Sequence, residues 1–107
     1  MNQILILLAA LLLPCAALAT DADYTLVIAE HRFQPSEITI SADKKIRLKI
    51  ENRDATPEEF DSHDLNREKV ITGNSSAIVF IGPLSPGRYQ FQGEFHADTA
   101  QGTIVAK

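Results

Sequence analysis

Short runs of alternating apolar and polar residues fill the chain from Tyr24 to Lys107. The clearest run is Ile46, Leu48 and Ile50, which are separated by Arg and Lys. Alternation with a period of two is typical of strands that bury one face. The pattern predicts strands in eight segments, which are 24–30, 37–40, 46–50, 59–62, 69–72, 77–81, 89–93 and 103–106.

Turn-forming residues separate these runs, and no segment of this part of the chain has the 3.6-residue period of a helix. The turns are expected at Asp43-Lys44, Asn52-Arg53-Asp54, Gly73-Asn74, Pro83 and Ser85-Pro86-Gly87. Many short strands at this spacing predict an all-β fold, a Greek-key β-sandwich of two sheets. A small closed barrel is the alternative.

Residues 1–19 follow a different pattern and carry no charged side chain. An apolar run from Ile4 to Leu13 ends at Pro14, and Ala17-Leu18-Ala19 fits the small-x-small motif of signal peptidase. We therefore expect a signal peptide over residues 1–19 and a mature domain over 20–107. A transmembrane anchor is the competing interpretation, but the apolar run is much shorter than the roughly 20 residues that span a bilayer.

Sulfur is confined to this front segment, because Met1 and Cys15 are the only methionine and cysteine of the chain. Pro14 stands where a lipoprotein would have a small residue before its cysteine, so no membrane anchor is expected after processing. An exported domain without disulfides must rely on burial, hydrogen bonds or a metal. The net charge of −4 disfavours nucleic acids and anionic membranes as partners.

Three polar groups interrupt the strand pattern: His31, the acidic stretch 51–64, and the segment that contains Glu94 and His96. Imidazole and carboxylate groups are ligands for first-row divalent metals and for Fe(III). Glu94 and His96 would share a face if the strand continued, and could converge on an ion if the chain turned. Such residues are also common on solvated surfaces, so spacing alone leaves both interpretations open. No motif for acyl transfer is present.

Motifs along the mature chain resemble the cupredoxins, namely Phe33-x-Pro35, Asn52-x-Asp54, Pro86-Gly87-x-Tyr89-x-Phe91 and His96. Within that family the chain looks like the EfeO-type cupredoxin-like domains, the small periplasmic components of bacterial ferrous-iron uptake operons. The motifs that carry this finer resemblance are Glu58-Glu59-Phe60, Glu68-Lys69-Val70, Pro83 to Gly87 and Gly93 to Gly102. The resemblance implies a cupredoxin-like β-sandwich.

The chain departs from copper cupredoxins at the metal ligands. A blue-copper site uses two His, a Cys thiolate and a weak axial Met. By the resemblance, Glu58 replaces the first His, Gly93 replaces the Cys and Ala100 replaces the Met, so that only His96 remains. A copper–thiolate centre is therefore not expected.

The resemblance instead implies a metal site of carboxylates and imidazoles, with candidate ligands His96, Glu94, Glu58, Glu59 and His31. Because neighbours on a strand point to opposite faces, Glu58 and Glu59 should not both point inward. By the resemblance Glu58 matches the family's ligand position, and it shares a face with Phe60, so it is the preferred ligand. Three further residues are candidates for positions beside the ligands or at the entrance to the site, namely Glu68, Asp61 and Asp98. For these three, a place on the solvated surface is the favoured interpretation.

Oxygen ligands favour Fe(III) over Fe(II), so such a site would favour oxidation of ferrous iron. The resemblance implies a monomeric periplasmic protein that binds iron or copper and assists ferrous-iron uptake through a ferroxidase-like step. Its implied partners are a periplasmic iron-binding protein and an inner-membrane iron permease. Two alternatives stay open: a carrier of iron or copper without turnover, and a metal-free sandwich used for protein contact.

Overall fold

The computed structural model describes residues 21–107, and the predicted signal peptide over residues 1–19 lies outside them. Within this range the chain forms nine strands: β1 Tyr24–Ala29, β2 Arg32–Gln34, β3 Glu37–Ile40, β4 Ile46–Asn52, β5 Glu58–Ser62, β6 Arg67–Ile71, β7 Ser75–Ile81, β8 Gly87–Gly93 and β9 Gln101–Ala106. A short 3-10 turn, Glu94–His96, follows β8. None of the helical structure in residues 21–107 has the length and apolar character needed to cross a bilayer.

The strands form two mixed sheets that pack face to face. One sheet has the order β2-β1-β4-β7 and the other the order β3-β9-β8-β5-β6. The pairs β1–β4 and β3–β9 are parallel, and the other pairs are antiparallel. Between β1 and β9 the chain passes from one sheet to the other five times. The predicted all-β Greek-key sandwich is confirmed, and the alternative of a single closed barrel is wrong.

The sequence pattern missed one strand, β2, which pairs with β1 through Ile28 and Phe33. A strand of three residues is too short to show a period of two, so it could not be recognised by alternation. Other strands begin one or two residues before the predicted segments, as at Arg67 and Gly87. Asn52, expected in a turn, is instead the buried last residue of β4.

Alternating side chains of both sheets form the core, as the period of two predicts. The fully or almost fully buried aliphatic residues include Leu26, Ile28, Ile46, Leu48, Ile50, Ile71, Ile81 and Ile104. Each buried side chain of this size stabilises the fold by about 1.5–3 kcal/mol relative to an exposed one.

A cluster of Phe33, Phe60 and Phe91 closes one end of the core, with ring centroids 4.9–6.2 Å apart. Gly102 makes room for it, because a Cβ there would lie 2.2 Å from Cζ of Phe91. Beyond this cluster the inward faces of β5 and β8 continue to Glu58 and Gly93. These strands therefore bring a carboxylate to the end of the sandwich.

Candidate functional site

Glu58 is a buried carboxylate with a complete set of hydrogen-bond partners. The residue is 1% exposed. Its Oε1 accepts hydrogen bonds from the backbone N–H groups of Glu59 and Phe95, both at 2.9 Å. Its Oε2 lies 2.6 Å from Nδ1 of His96. Burial of a carboxylate is costly without such partners, so this network is what holds Glu58 in the interior.

His96 reaches this carboxylate because the chain turns after Gly93. The 3-10 turn Glu94–His96 reverses the chain direction, and the loop closes through Gly93 N–H to Ala100 O and Ala100 N–H to His96 O, both 2.8 Å. The imidazole is 27% exposed, whereas the Glu58 side chain is 2% exposed. His96 therefore links a buried carboxylate to the surface at this end of the sandwich.

His31 covers one face of the His96 ring. The two ring centroids are 3.5 Å apart and the rings are 10° from parallel. The hydroxyl of Thr99 donates a hydrogen bond of 2.6 Å to the backbone oxygen of His31, which ties the two loops together. The structure thus brings three of the five predicted ligands, His31, Glu58 and His96, into one group.

The β1–β2 turn that positions His31 depends on two residues outside the predicted ligand set. Glu30 and His31 have φ angles of 53° and 57°, a left-handed conformation that is uncommon for residues other than Gly. The Asp54 carboxylate accepts hydrogen bonds from both backbone N–H groups, at 2.8 and 3.0 Å. Asn52 accepts the Asp54 N–H at 3.0 Å and donates to Ile71 O at 3.1 Å.

The sequence predicts a turn and a family motif at Asn52 and Asp54, and it places Asp54 in the acidic stretch 51–64, but it predicts no role for either residue in positioning His31. Their acceptor function could not be seen in the alternation pattern, because Asp54 is 23 positions away from the His31 N–H that it binds. The Asn-x-Asp spacing was the feature of the sequence that could have indicated this acceptor role. Asx side chains commonly cap backbone N–H groups in turns.

Glu59 lies on the opposite face of β5, as strand alternation predicts. Its carboxylate groups with those of Asp61 and Glu68, and one oxygen of each lies within 4.8 Å of the others. Partial burial, together with the negative charges of Glu68, Asp61 and Glu94, raises the pKa of Glu59 above its ordinary value of 4.5. We call Glu59, Asp61 and Glu68 the outer acidic cluster.

Glu94 lies towards this outer cluster. It is exposed, its Oε2 accepts a hydrogen bond of 3.0 Å from Gln92, and its charge acts on Glu59. Asp98 is exposed in the loop that follows His96. The five predicted ligands therefore separate into an inner group of His31, Glu58 and His96 and an outer pair of Glu59 and Glu94.

The inner group does not converge on an ion in this arrangement. An imidazole donor lone pair lies in the plane of its ring, and the planes of His31 and His96 are nearly parallel. For both to bind one metal at the usual distance of about 2.0–2.1 Å, one ring must tilt out of the stack. The imidazole and carboxylate groups suit a divalent ion, but the two imidazoles cannot bind the same ion while their rings are stacked.

A blue-copper centre does not fit these residues. Residues 21–107 contain no Cys and no Met, so neither thiolate nor thioether is available within the fold. A Cβ on Gly93 would lie 2.6 Å from Cδ of Glu58 and 2.7 Å from Cβ of Ala100. The space for a side chain at position 93 is thus filled by the carboxyl group and a methyl group.

Two sequence comparisons relate the chain to known proteins. The profile of a family described as "Cupredoxin-like domain" matches residues 3–106. An uncharacterized protein of Rickettsia prowazekii (strain Madrid E) is 46% identical over 80 residues, which is 75% of this chain and 64% of the relative. The chain therefore spans slightly less than two thirds of that relative.

Solved structures with the same fold have low sequence identity to this chain. Auracyanin A, a "blue" copper protein from Chloroflexus aurantiacus, superposes with a TM-score of 0.66 at 15% identity, covering 78% of this chain and 96% of its own. A purple cupredoxin from Nitrosopumilus maritimus superposes with a TM-score of 0.61 at 15% identity, and the match covers 79% of this chain and 100% of its own. Amicyanin from Paracoccus versutus superposes with a TM-score of 0.62 at 19% identity, and the match covers 82% of this chain and 83% of its own. At these identities the similarity establishes the fold.

Proposed function

Since this chain belongs to the family of cupredoxin-like domains, we propose that it is a metal-binding member that has replaced the copper–thiolate centre by imidazole and carboxylate groups. Its metal is iron, or alternatively copper, and its role is to assist ferrous-iron oxidation and uptake in the periplasm. The finer assignment, to the EfeO-type domains of ferrous-iron uptake operons, rests on the Gly93 to Gly102 motif.

The observation that carries this proposal is the meeting of two imidazole rings and a buried carboxylate at one end of the sandwich. The rings of His31 and His96 are in contact, and Glu58 holds Nδ1 of His96 at 2.6 Å. Imidazole nitrogen suits iron, copper and zinc, and carboxylate oxygen favours the harder ions among them. Copper is supported further by auracyanin A, whose description names it a "blue" copper protein, although the thiolate type of site is ruled out here.

Electrostatics support a cation as the substrate. The outer acidic cluster and Glu94 carry like charges close enough to raise the pKa of Glu59. Such a surface attracts Fe(II) and raises its local concentration. The chain's own residues would bind and hold the ion, while each Fe(II) that is oxidised gives one electron to an acceptor. In an aerobic assay, dioxygen takes up four electrons and four protons to form two waters.

We propose that the partners are a periplasmic iron-binding protein and an inner-membrane iron permease. The proposal of export rests on the signal-peptide pattern of residues 1–19. A test is fractionation of cells that express the full chain with a C-terminal tag, with mass determination of the released protein. Processing after Ala19 and release with the periplasmic fraction are expected, and an unprocessed cytosolic product would contradict this part.

The metal-binding proposal is tested by competitive titration of the purified protein with Fe(II), Cu(II), Mn(II) and Zn(II), followed by an aerobic iron-oxidation assay. A ligand present at 100 times its dissociation constant should stabilise the fold by about 2.7 kcal/mol. His96→Ala should abolish binding. Turnover of more than one equivalent of Fe(II) supports the oxidase, and stoichiometric binding without faster oxidation supports the carrier.

A second candidate function, a metal-free contact module, is favoured by a separate observation. Glu58 and His96 already satisfy each other, and the neighbouring Phe95 ring is 49% exposed. Exposed aromatic residues are enriched at protein interfaces. If none of the four metals raises the unfolding temperature, the contact module replaces the metal-binding proposal.

A further inference from the structure

The hydrogen bonds around Glu58 determine which nitrogen of His96 is free to bind a ligand. Oε1 of Glu58 must be an acceptor, because both of its partners can only donate. These partners are the backbone N–H groups of Glu59 and Phe95. Oε2 faces Nδ1 of His96 at 2.6 Å. In its ionised form Glu58 accepts and does not donate, which would place the proton of this contact on Nδ1.

We infer that Glu58 is a positioning residue and not a metal ligand, and that it fixes His96 with its proton on Nδ1 and Nε2 as the metal donor. The inference rests on the proposed metal-binding function and changes the role of the residue that the sequence ranked first as a ligand. In neutral imidazole one nitrogen carries the proton and the other offers a lone pair. Holding the proton on Nδ1 therefore leaves the lone pair on Nε2.

The surroundings of the ring favour the same nitrogen. Nδ1 faces a carboxylate whose side chain is 2% exposed, whereas the imidazole as a whole is 27% exposed. His31 covers one ring face, so an ion reaches His96 at its free edge and not through the stack. An ion between Nδ1 and Oε2 would require both groups to separate, which the two backbone N–H groups on Oε1 oppose. A carboxylate that orients a ligating His in this way is a common arrangement in metal sites.

Glu58→Gln is a sharp test because it changes the hydrogen-bond polarity and little else. The Gln carbonyl can still accept the N–H groups of Glu59 and Phe95. Its amide nitrogen then faces His96 as a donor, so Nδ1 must become the acceptor and the proton moves to Nε2. Glu37→Gln is the matched control, since it neutralises an exposed carboxylate that pairs with Arg88 and belongs neither to the inner group nor to the outer acidic cluster.

The first measurement is the tautomer of His96 in the metal-free protein, read by long-range ¹H–¹⁵N NMR at about pH 8. We expect the proton on Nδ1 in the wild type and in Glu37→Gln, and on Nε2 in Glu58→Gln. A wild-type spectrum with the proton on Nε2 overturns the inference. Because the wild-type tautomer needs no variant, the test holds even if Glu58→Gln fails to fold.

The second measurement is titration with Zn(II), a diamagnetic probe. We expect the Nε2 resonance of His96 to shift on binding while the Nδ1 proton is retained, and the affinity of Glu58→Gln to fall about 10–100-fold. Loss of the Nδ1 proton on binding, or equal affinity of Glu58→Gln and Glu37→Gln, overturns the inference. Absence of any metal binding by the wild type would instead refute the proposed function, and the metal-free spectrum still decides the tautomer.

Discussion

The carboxyl group of Glu58 occupies the space that a side chain on Gly93 would need. A Cβ at position 93 would lie 2.6 Å from Cδ of Glu58, a distance that side-chain carbons do not tolerate. Glu58 is held by three hydrogen bonds and cannot retreat without breaking them. The small residue on β8 and the buried acid on β5 therefore depend on each other.

Gly93→Ala should lower the free energy of unfolding by about 1–3 kcal/mol, because the added methyl group overpacks the site. Urea unfolding measures this. Gly87→Ala is the control on the same strand, since a Cβ there would have its nearest contact at 3.7 Å. Equal stability of the two variants would show that Glu58 can move aside freely.

Gly93→Cys tests whether sulfur alone restores a blue-copper centre. We expect no intense blue absorption on addition of Cu(II), because Glu58 holds Nδ1 of His96 and residues 21–107 contain no Met that could serve as the axial ligand. The optical spectrum of the Cu(II)-treated variant measures this, with the wild type as reference. A strong charge-transfer band in the variant would show that the fold retains a copper-binding geometry.

Glu58→Ala should destabilise the protein by about 1–3 kcal/mol for each buried hydrogen-bond donor that is left without an acceptor. It leaves the N–H groups of Glu59 and Phe95 and Nδ1 of His96 without their acceptor. The midpoint of urea unfolding measures the change. Glu59→Ala is the neighbouring control and should not destabilise the fold. A similar loss in both variants would contradict the buried-network interpretation.

Glu59→Gln should stabilise the protein at neutral pH. The folded-state pKa of Glu59 is raised above its ordinary value of 4.5, so folding favours the protonated form. Glu59 therefore stabilises the folded state below pH 4.5, and this stabilisation is lost as the pH rises through the pKa that Glu59 has in the folded protein. The variant should therefore gain stability at about pH 7 and lose this gain on acidification. Urea unfolding at several pH values measures it, and a gain that does not depend on pH would argue against repulsion within the cluster.

Asp54→Ala should loosen the contact between His31 and His96. Without the carboxylate, the N–H groups of Glu30 and His31 lose their acceptor while their φ angles remain unfavourable. We expect a loss of about 1–3 kcal/mol in unfolding free energy and a shift of the His96 ring protons in the NMR spectrum. Asp98→Ala, an exposed change in the His96 loop, should stay within about 0.5 kcal/mol. An unchanged His96 spectrum in Asp54→Ala would contradict this role.

Much of the fold could be predicted because burial on one face leaves a period of two in the sequence. Ile46, Leu48 and Ile50 illustrate this, since all three are buried and their Arg and Lys neighbours are not. The exception was β2, where three residues carry too little pattern. The separation of Glu58 from Glu59 was also predictable, because strand geometry alone requires it.

The grouping of the site residues could be predicted only in part. The motif around His96 suggested that Glu94 would lie with it, but the 3-10 turn directs Glu94 towards the outer acidic cluster. The stacking of His31 on His96 depends on a left-handed turn and on Asp54, which a strand pattern does not encode.

What the sequence by itself determined is the strand pattern and the absence of sulfur after Cys15, since both depend only on which residue stands at each position. What only the tertiary structure decided is the pairing of Glu58 with His96, which are 38 positions apart. That contact requires β5 and β8 to pair with Phe60 opposite Gly93, and the chain to turn directly afterwards. Such long-range pairing follows from the packing of the whole sandwich, and no local stretch of residues specifies it.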